Sequence, residues 1–179
     1  MSARRQRQMC IRDRFIRVPK EWVIKKPENL SLKDSMAYGT AGLTAGLCVR
    51  KILNSGVKPE DGEVFVTGAT GGVGIISVML LSKLGFNVVA ISGKKDQKDL
   101  LLSLGAKEVF DRSEFEGEMK SPLAKPRWAG GVDAVGSDIL SNLITSTHQR
   151  AAIACCGMVG GIELKTCLLY TSPSPRDDR

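Results

Sequence analysis

The chain has 179 residues, 42% of them hydrophobic, and a formal net charge of +7, which suits one globular domain with a core of its own. No apolar run approaches the roughly 20 residues of a membrane span. The Arg- and Gln-rich N-terminus lacks the apolar stretch of a secretory signal, so we expect no membrane partner and a cytoplasmic location. Five cysteines without C-x-x-C spacing and a single histidine, His148, offer no set of zinc ligands at workable spacing.

The positive charge is concentrated at the N-terminus. Residues 1–14 contain five arginines and one aspartate, and the remaining cations are spread among acidic residues. No basic stripe with interleaved aromatic residues follows, which is the pattern that nucleic-acid binding favours. We therefore expect no nucleic-acid partner.

The two ends of the chain are related at the level of DNA. Residues 167–172 can be encoded by a string whose reverse complement, in another frame, encodes residues 9–13. Such an inverted repeat resembles a transposon end used to prepare sequencing libraries. Our hypothesis is that residues 1–14 and 167–179 are non-native tails and that the native segment is truncated at both ends; ordinary disordered tails are the alternative. Finding these codons in the gene amplified from its source would contradict the hypothesis.

The first part of the core is predicted to be extended and then helical. Short strands are expected at 18–19 and 22–24, and Pro27 ends that region. Ser31 is a suitable helix N-cap. The next helix is predicted over 39–54, before a turn that contains Pro59.

Strands and helices then alternate. Strands are predicted at 63–67, 87–92, 108–110, 132–135 and 151–155, helices at 72–84, 97–104 and 138–147, and an irregular segment at 113–130. This alternation predicts an α/β fold, a Rossmann-type doubly wound parallel sheet covered on both faces. Cys155 and Cys156 lie in an apolar run and are predicted to be buried packing residues.

A glycine-rich loop joins the first of these strands to its helix. Glu63–Thr67 is followed by the sequence Gly68-Ala69-Thr70-Gly71-Gly72-Val73-Gly74. In such a loop Gly71 permits a sharp turn, Gly72 leaves room for a pyrophosphate and Gly74 lets the helix pack closely on the strand. The order strand, glycine loop, helix predicts a dinucleotide site in which the pyrophosphate lies at the helix N-terminus; a purely structural turn is the alternative.

The end of the second predicted strand bears on which dinucleotide is bound. An acid about 20 residues past the loop selects NAD, whereas a basic residue accommodates the 2′-phosphate of NADP. Here the strand ends in Ser92-Gly93-Lys94-Lys95, with no acid before Asp96. These residues favour NADPH; solubilising lysines in a loop are the alternative.

Two other nucleotide motifs were considered. The loop also fits the T-G-x-x-x-G-x-G pattern of short-chain dehydrogenases, but Tyr38 is followed four residues later by Gly42, so the Tyr-x-x-x-Lys pair that supplies the proton is missing there. A P-loop needs Gly-Lys followed by Ser or Thr, and Gly93-Lys94 is followed by lysine. Both alternatives are disfavoured.

Several segments together resemble a known family. They are residues 39–45 (GTAGLTA), the glycine loop, Ser92-Gly93-Lys94, Leu104-Gly105-Ala106, Trp128-Ala129-Gly130 and Ala154-Cys155-Cys156-Gly157. In this order they resemble the acrylyl-CoA reductase group, a zinc-free, quinone-oxidoreductase-like branch of the medium-chain dehydrogenase/reductase superfamily. The resemblance runs from about residue 15 to residue 164.

The resemblance implies an NADPH-dependent oxidoreductase that reduces the C=C bond of an enoyl thioester such as acrylyl-CoA, by hydride transfer to the β-carbon and protonation of the resulting enolate. An NADPH:quinone reductase and a non-catalytic NADPH-binding protein are the alternatives. The implied cofactor-binding residues are Thr70, Gly71, Gly72 and Val73 for the pyrophosphate, Ser92, Gly93 and Lys94 for the 2′-phosphate, and Arg112 for the adenosine end, with Gly157 near the nicotinamide. No metal is implied.

The family also implies a domain organisation. Residues 15–37 would be a remnant of a GroES-like catalytic domain, and residues 38–166 the dinucleotide-binding domain. No catalytic residue is assigned, because most of the catalytic domain would lie outside this chain, and the fragment alone is expected to be inactive. A homodimer is expected for a full-length relative.

Overall fold

The computed structural model describes residues 17–117 and 124–166. The chain divides into two compact units, residues 1–40 and residues 41–179. The tails proposed at 1–14 and 167–179 lie outside the described residues. That residues 15–37 are a remnant of a catalytic domain and residues 38–166 a dinucleotide-binding domain stays a prediction.

The described part of the first unit contains no strand. Lys20–Trp22 forms a single 3-10 turn, and Trp22, Val23 and Ile24 are exposed. The strands predicted at 18–19 and 22–24 are therefore wrong. An extended segment forms a strand only when a partner takes up its backbone hydrogen bonds, and no described residue does so here.

Helix α1 comprises Leu32–Asn54 and is interrupted at Gly39. Ser31 caps it as predicted, because its Oγ accepts a hydrogen bond from the backbone N of Asp34 at 3.0 Å. The second helix, predicted over 39–54, agrees with this interruption, because one helical stretch begins at Leu32 and another follows Gly39 and ends at Asn54. Gly39 has φ 43° and ψ −147°, a conformation that glycine adopts at little cost and that separates the two helical stretches.

The second unit is built on five parallel strands. In chain order they are β1 (Glu63–Thr67), β2 (Asn87–Ser92), β3 (Glu108–Asp111), β4 (Trp128–Asp133) and β5 (Thr147–Cys155). The sheet order is β3-β2-β1-β4-β5, with every neighbouring pair parallel. Helices α2 (Gly72–Lys83), α3 (Lys98–Ser103) and α4 (Ser137–Ile144) alternate with the strands. The predicted Rossmann-type α/β fold is confirmed.

Helices cover both faces of the sheet. On one face Val64 and Val66 of β1 pack with Ile52 of α1 and with Val78 and Leu81 of α2. On the other face Phe65 of β1 and Trp128 of β4 pack with Ile139 and Leu143 of α4. The rings of Phe65 and Trp128 meet edge to face, with their centroids 5.7 Å apart. Because every residue of β1 after Glu63 is buried, both faces of this central strand contribute to the core.

In the C-terminal part of the sheet, several strand and helix boundaries differ from the predicted ones. Strand β4 begins at Trp128, four residues before the predicted start, and β5 begins at Thr147 rather than at residue 151. The preceding helix ends at Ile144, so His148 lies inside β5. Cys155 and Cys156 are exposed, not buried as predicted, since they lie where β5 ends and its chain leaves the sheet. Among the described residues no helix is both long and apolar enough to cross a bilayer.

Candidate functional site

A cleft of about 1000 Å³ opens at the carboxyl ends of the strands. It lies where β1 has β2 on one side and β4 on the other, and chain connections diverge in opposite directions from this point. Open α/β sheets bind ligands at such a switch point. The lining comes from residues at or just after the carboxyl ends of all five strands.

The glycine loop forms one wall of the cleft. Gly68 has φ 58°, and its carbonyl oxygen accepts a hydrogen bond from Gly71 N at 2.8 Å, which closes the turn. A Cβ atom on Gly74 would lie 2.3 Å from the Gly68 oxygen and 2.6 Å from Ala69 Cα. Only glycine therefore lets α2 start this close to β1. The first-turn N–H groups of α2 have no acceptor within the helix and so present donors to the cleft.

The end of β2 forms a second, cationic wall. Ser92 Oγ lies 3.1 Å from Thr70 Oγ1 and accepts a hydrogen bond from Lys94 N at 3.1 Å. The Arg112 side chain lies against Gly93, where a Cβ atom would be 2.8 Å from Arg112 Nε. Arg112 Nε is also 3.0 Å from Glu116 Oε1. This wall thus combines a hydroxyl, two cations and one carboxylate.

A buried carboxylate joins the strands beneath the cleft. Asp133, at the end of β4, is fully buried, and its Oδ1 accepts a hydrogen bond from Thr67 Oγ1 at 2.7 Å. Its Oδ2 accepts from Gly136 N at 2.9 Å, and Thr67 Oγ1 in turn accepts from Ala134 N at 2.9 Å. Because a buried carboxylate is costly unless hydrogen-bonded, these contacts fix the ends of β1 and β4 relative to each other.

The chain after β5 completes the cleft. Cys156 N donates a hydrogen bond to the backbone oxygen of Asp133 at 2.8 Å. Although Cys156 as a whole is exposed, its sulfur is partly buried against the Asp133 backbone oxygen, 3.3 Å away. This partial burial raises the pKa of the Cys156 thiol to about 12, and the nearby Cys48 thiol contributes to the shift. This side chain is therefore a protonated thiol at neutral pH. Gly157 follows, and a Cβ atom there would lie 2.1 Å from Ala134 O, so the chain passes directly against the end of β4.

All eight cofactor-binding residues predicted from the sequence line this one cleft. They are Thr70, Gly71, Gly72, Val73, Ser92, Gly93, Lys94 and Arg112. Gly157 also lines it. That these residues contact a cofactor stays a prediction.

Sequence reasoning missed the Thr67–Asp133 pair and the acid beside Arg112. Thr67 and Asp133 are 66 residues apart in the chain, so no local pattern joins them. Glu116 was within the segment predicted to be irregular, and its i, i+4 spacing from Arg112 was the available signal. Within residues 17–117 and 124–166, no group of three or more His, Cys, Asp or Glu side chains could hold a metal ion.

The sheet order, the glycine loop and the switch-point cleft define a Rossmann-type domain. The family model described as "Zinc-binding dehydrogenase" matches residues 72–172. The chain belongs to this family. The description of the family names zinc. In the part of the chain that the structure describes, no cluster of side chains provides the ligands for such an ion.

Individual relatives are also similar. The chain is 43% identical over 153 residues to "Probable acrylyl-CoA reductase AcuI" of Escherichia coli (strain K12), covering 86% of this chain and 47% of the relative. It is 44% identical over 151 residues to "Putative quinone oxidoreductase YhfP" of Bacillus subtilis (strain 168), covering 84% and 46%; the crystal structure of YhfP with NAD bound matches with a TM-score of 0.80, 40% identity and coverage of 89% and 52%.

A third relative is known as a structure with a bound nucleotide. The yhdH oxidoreductase from Salmonella enterica, in complex with NADP, matches with a TM-score of 0.81 and 42% identity, covering 86% of this chain and 47% of that one. The chain thus spans about half the length of the curated relatives it matches.

Proposed function

We propose that the chain is the cofactor-binding part of an NADPH-dependent oxidoreductase that reduces the C=C bond of an enoyl thioester such as acrylyl-CoA. The observation that carries the proposal is the cationic end of β2. There Lys94 and Arg112 line the cleft together with Ser92, and no acid occupies the place where NAD-selective domains carry one.

The pyrophosphate of the cofactor would lie at the start of α2. Thr70, Gly71, Gly72 and Val73 line the cleft there, and the absence of side chains at the glycines lets the phosphate oxygens approach backbone N–H groups. The positive end of the helix dipole adds to the attraction. The hydroxyl groups of Thr70 and Ser92, whose oxygens are 3.1 Å apart, lie between the glycine loop and the end of β2.

The 2′-phosphate would lie between Ser92, Lys94 and Arg112. A lysine supplies charge without the bidentate geometry of a guanidinium, so Arg112 is the residue able to make paired hydrogen bonds with a phosphate. Both cations are partly solvent-exposed, which keeps each contribution modest.

NADPH supplies a hydride when it is bound. The residues of this chain would hold and orient the cofactor. Gly157 lines the same cleft as the glycine loop and would border the nicotinamide. The thioester substrate is favoured by the likeness to the relative named as an acrylyl-CoA reductase. An NADPH:quinone reductase is the second candidate, because a relative of equal identity is named a quinone oxidoreductase.

Cofactor choice is tested by titrating the 179-residue chain with NADPH and with NADH and following nicotinamide fluorescence. We expect NADPH to bind at least about tenfold more tightly, which corresponds to about 1.4 kcal/mol. Lys94→Ala should reduce this preference and leave NADH binding unchanged. The Lys83→Ala variant, which removes a cation at the far end of α2, is the control. Equal binding of the two cofactors would refute NADPH selectivity.

Substrate class requires the chain completed from its source gene. With NADPH present, the loss of nicotinamide absorbance is compared for acrylyl-CoA and a benzoquinone. Faster oxidation with acrylyl-CoA supports the enoyl-thioester reductase, and faster oxidation with the quinone supports the second candidate. NADPH binding without turnover of either compound would indicate a non-catalytic binding protein.

A further inference from the structure

Some of the charged side chains around the ends of β2 and β3 form ion pairs, and others do not. Lys95 Nζ lies 3.3 Å from Asp111 Oδ2, and Arg112 Nε lies 3.0 Å from Glu116 Oε1. Among the described residues, Lys94 forms no ion pair of this kind. Of the two cations that line the cleft, one is therefore already paired with a carboxylate.

The position of Arg112 is set by the backbone beneath it. Its side chain lies over Gly93, with Nε, Cδ and Cγ at 2.8, 2.9 and 3.3 Å from the place where a Cβ atom would stand. Glu116 lines the same cleft, four residues further along the chain. The carboxylate and an incoming phosphate therefore reach the same guanidinium.

We propose that Glu116 is a specificity-determining residue of the adenosine subsite, whose carboxylate competes with the ligand's 2′-phosphate for Arg112. The inference rests on the proposed function, since it assumes that the cleft binds a nicotinamide dinucleotide. A 2′-phosphate must displace Glu116 from Arg112 or lie beside it, and both cost free energy through the loss of an ion pair or through repulsion of like charges. A ligand with a 2′-hydroxyl leaves the pair intact. Glu116 thus narrows the preference for NADPH over NADH.

The exposure of the pair makes it displaceable. The side chains of Arg112 and Glu116 are 57% and 46% exposed, and ion pairs exposed to this degree are weak. A doubly charged phosphate is a stronger acceptor for a guanidinium than one carboxylate. The competition therefore lowers affinity for the phosphorylated cofactor without preventing its binding.

The test is a fluorescence titration of the 179-residue chain, in which Glu116→Gln keeps the size of the side chain and removes its charge. We expect the variant to bind NADPH about twofold to fivefold more tightly than the wild type does, with NADH affinity unchanged. In the Arg112→Ala background the same substitution should have a smaller effect, because the shared partner is gone. Glu60→Gln removes a carboxylate paired with Lys58 at the other end of β1 and should change neither affinity.

The outcomes separate the two proposals. If the wild type binds neither nucleotide, the proposed function fails and the inference fails with it. If the wild type prefers NADPH but Glu116→Gln leaves the affinity unchanged, only the inference is overturned. A loss of NADPH affinity in Glu116→Gln would also overturn it, because that result means the carboxylate orients Arg112 toward the phosphate.

Discussion

Asp111 fixes the short turn that carries two charged side chains of the cleft, Arg112 and Glu116. Its Oδ1 accepts hydrogen bonds from Ser113 N at 3.0 Å and Ser113 Oγ at 2.7 Å, and Lys95 lies on its other oxygen. The bonds from Ser113 are the main cause that lowers the pKa of Asp111 from 3.8 to about 2. The ionised carboxylate is therefore the form that the folded chain prefers.

This preference predicts a pH-dependent contribution to stability. A group whose pKa is lower in the folded state stabilises it above the unfolded pKa, and the contribution disappears as the pH falls through the folded pKa. Asp111→Asn should therefore lower the unfolding midpoint at neutral pH, and the difference from the wild type should shrink between about pH 4 and about pH 2. Thermal unfolding followed by circular dichroism over this range measures it.

Ser113→Ala provides the matched variant. It removes the hydroxyl donor and keeps the backbone donor, so the folded-state pKa of Asp111 should be lowered less. Part of the Asp111 effect should then remain, and its decline should be complete at a higher pH than in the wild type. A difference between Asp111→Asn and wild type that stays constant with pH would contradict the assigned role.

At the residue scale, the sequence was most informative where backbone geometry restricts residue type. The loop from Gly68 to Gly74 needs glycine to turn and to pack, so its role can be predicted from its residue types alone. The Thr67–Asp133 hydrogen bond could not be read in this way, because its two residues become neighbours only when β4 pairs with β1. Glu116 is informative only once Arg112 is known to lie over Gly93.

At the element scale, β4 shows how tertiary packing overrides local propensity. The strand contains Gly130 and Gly131, residues that are depleted in strands. A Cβ atom on Gly131 would lie 2.5–2.6 Å from ring atoms of Phe65, and one on Gly130 would lie 2.7 Å from Ala152 O. The glycines are present because neighbouring strands approach too closely for a side chain. This is why the predicted start of β4 was late, whereas the continuous apolar runs of β1 and β2 were placed correctly.

Gly131→Ala is therefore expected to destabilise the fold. The added methyl group overlaps the Phe65 ring, which is buried against Trp128, and overpacking of this kind costs about 1–3 kcal/mol of unfolding free energy. Urea unfolding compares the variant with the wild type.

Gly46→Ala in α1 is the control for the same chemical change. Nothing lies within 4 Å of the added methyl group, and alanine is favoured over glycine inside a helix by up to about 1 kcal/mol. We expect a small gain in stability. If both substitutions changed the unfolding free energy equally, the contact with Phe65 would not be what excludes a side chain at residue 131.

At the scale of the whole molecule, apolar side chains are exposed after β5. Met158, Val159 and Ile162 are 68%, 88% and 84% exposed, and within the described residues β5 has a strand neighbour on one side only. Exposed apolar groups and an open sheet edge each favour association. The net charge of +7 opposes it at low ionic strength.

We therefore expect self-association that grows with both protein and salt concentration. Added salt screens the repulsion between like-charged chains but leaves the apolar contact intact. Sedimentation velocity at low and at high salt measures this. Val159→Lys should reduce association, and Leu100→Lys, which adds the same charge at an exposed position on α3, should reduce it less. Equal reductions would assign the effect to charge alone.

The packing of Arg112 on Gly93 restricts how this domain could be converted to another cofactor preference. Any side chain at residue 93 would occupy the space of the Arg112 stem, so an acid placed there would expel the guanidinium before it could reach a ribose hydroxyl. A change of cofactor preference, by evolution or by engineering, is thus easier through a substitution at residue 94. Changes at 94 and 112 can be made one at a time, whereas a side chain at residue 93 also requires the Arg112 side chain to move.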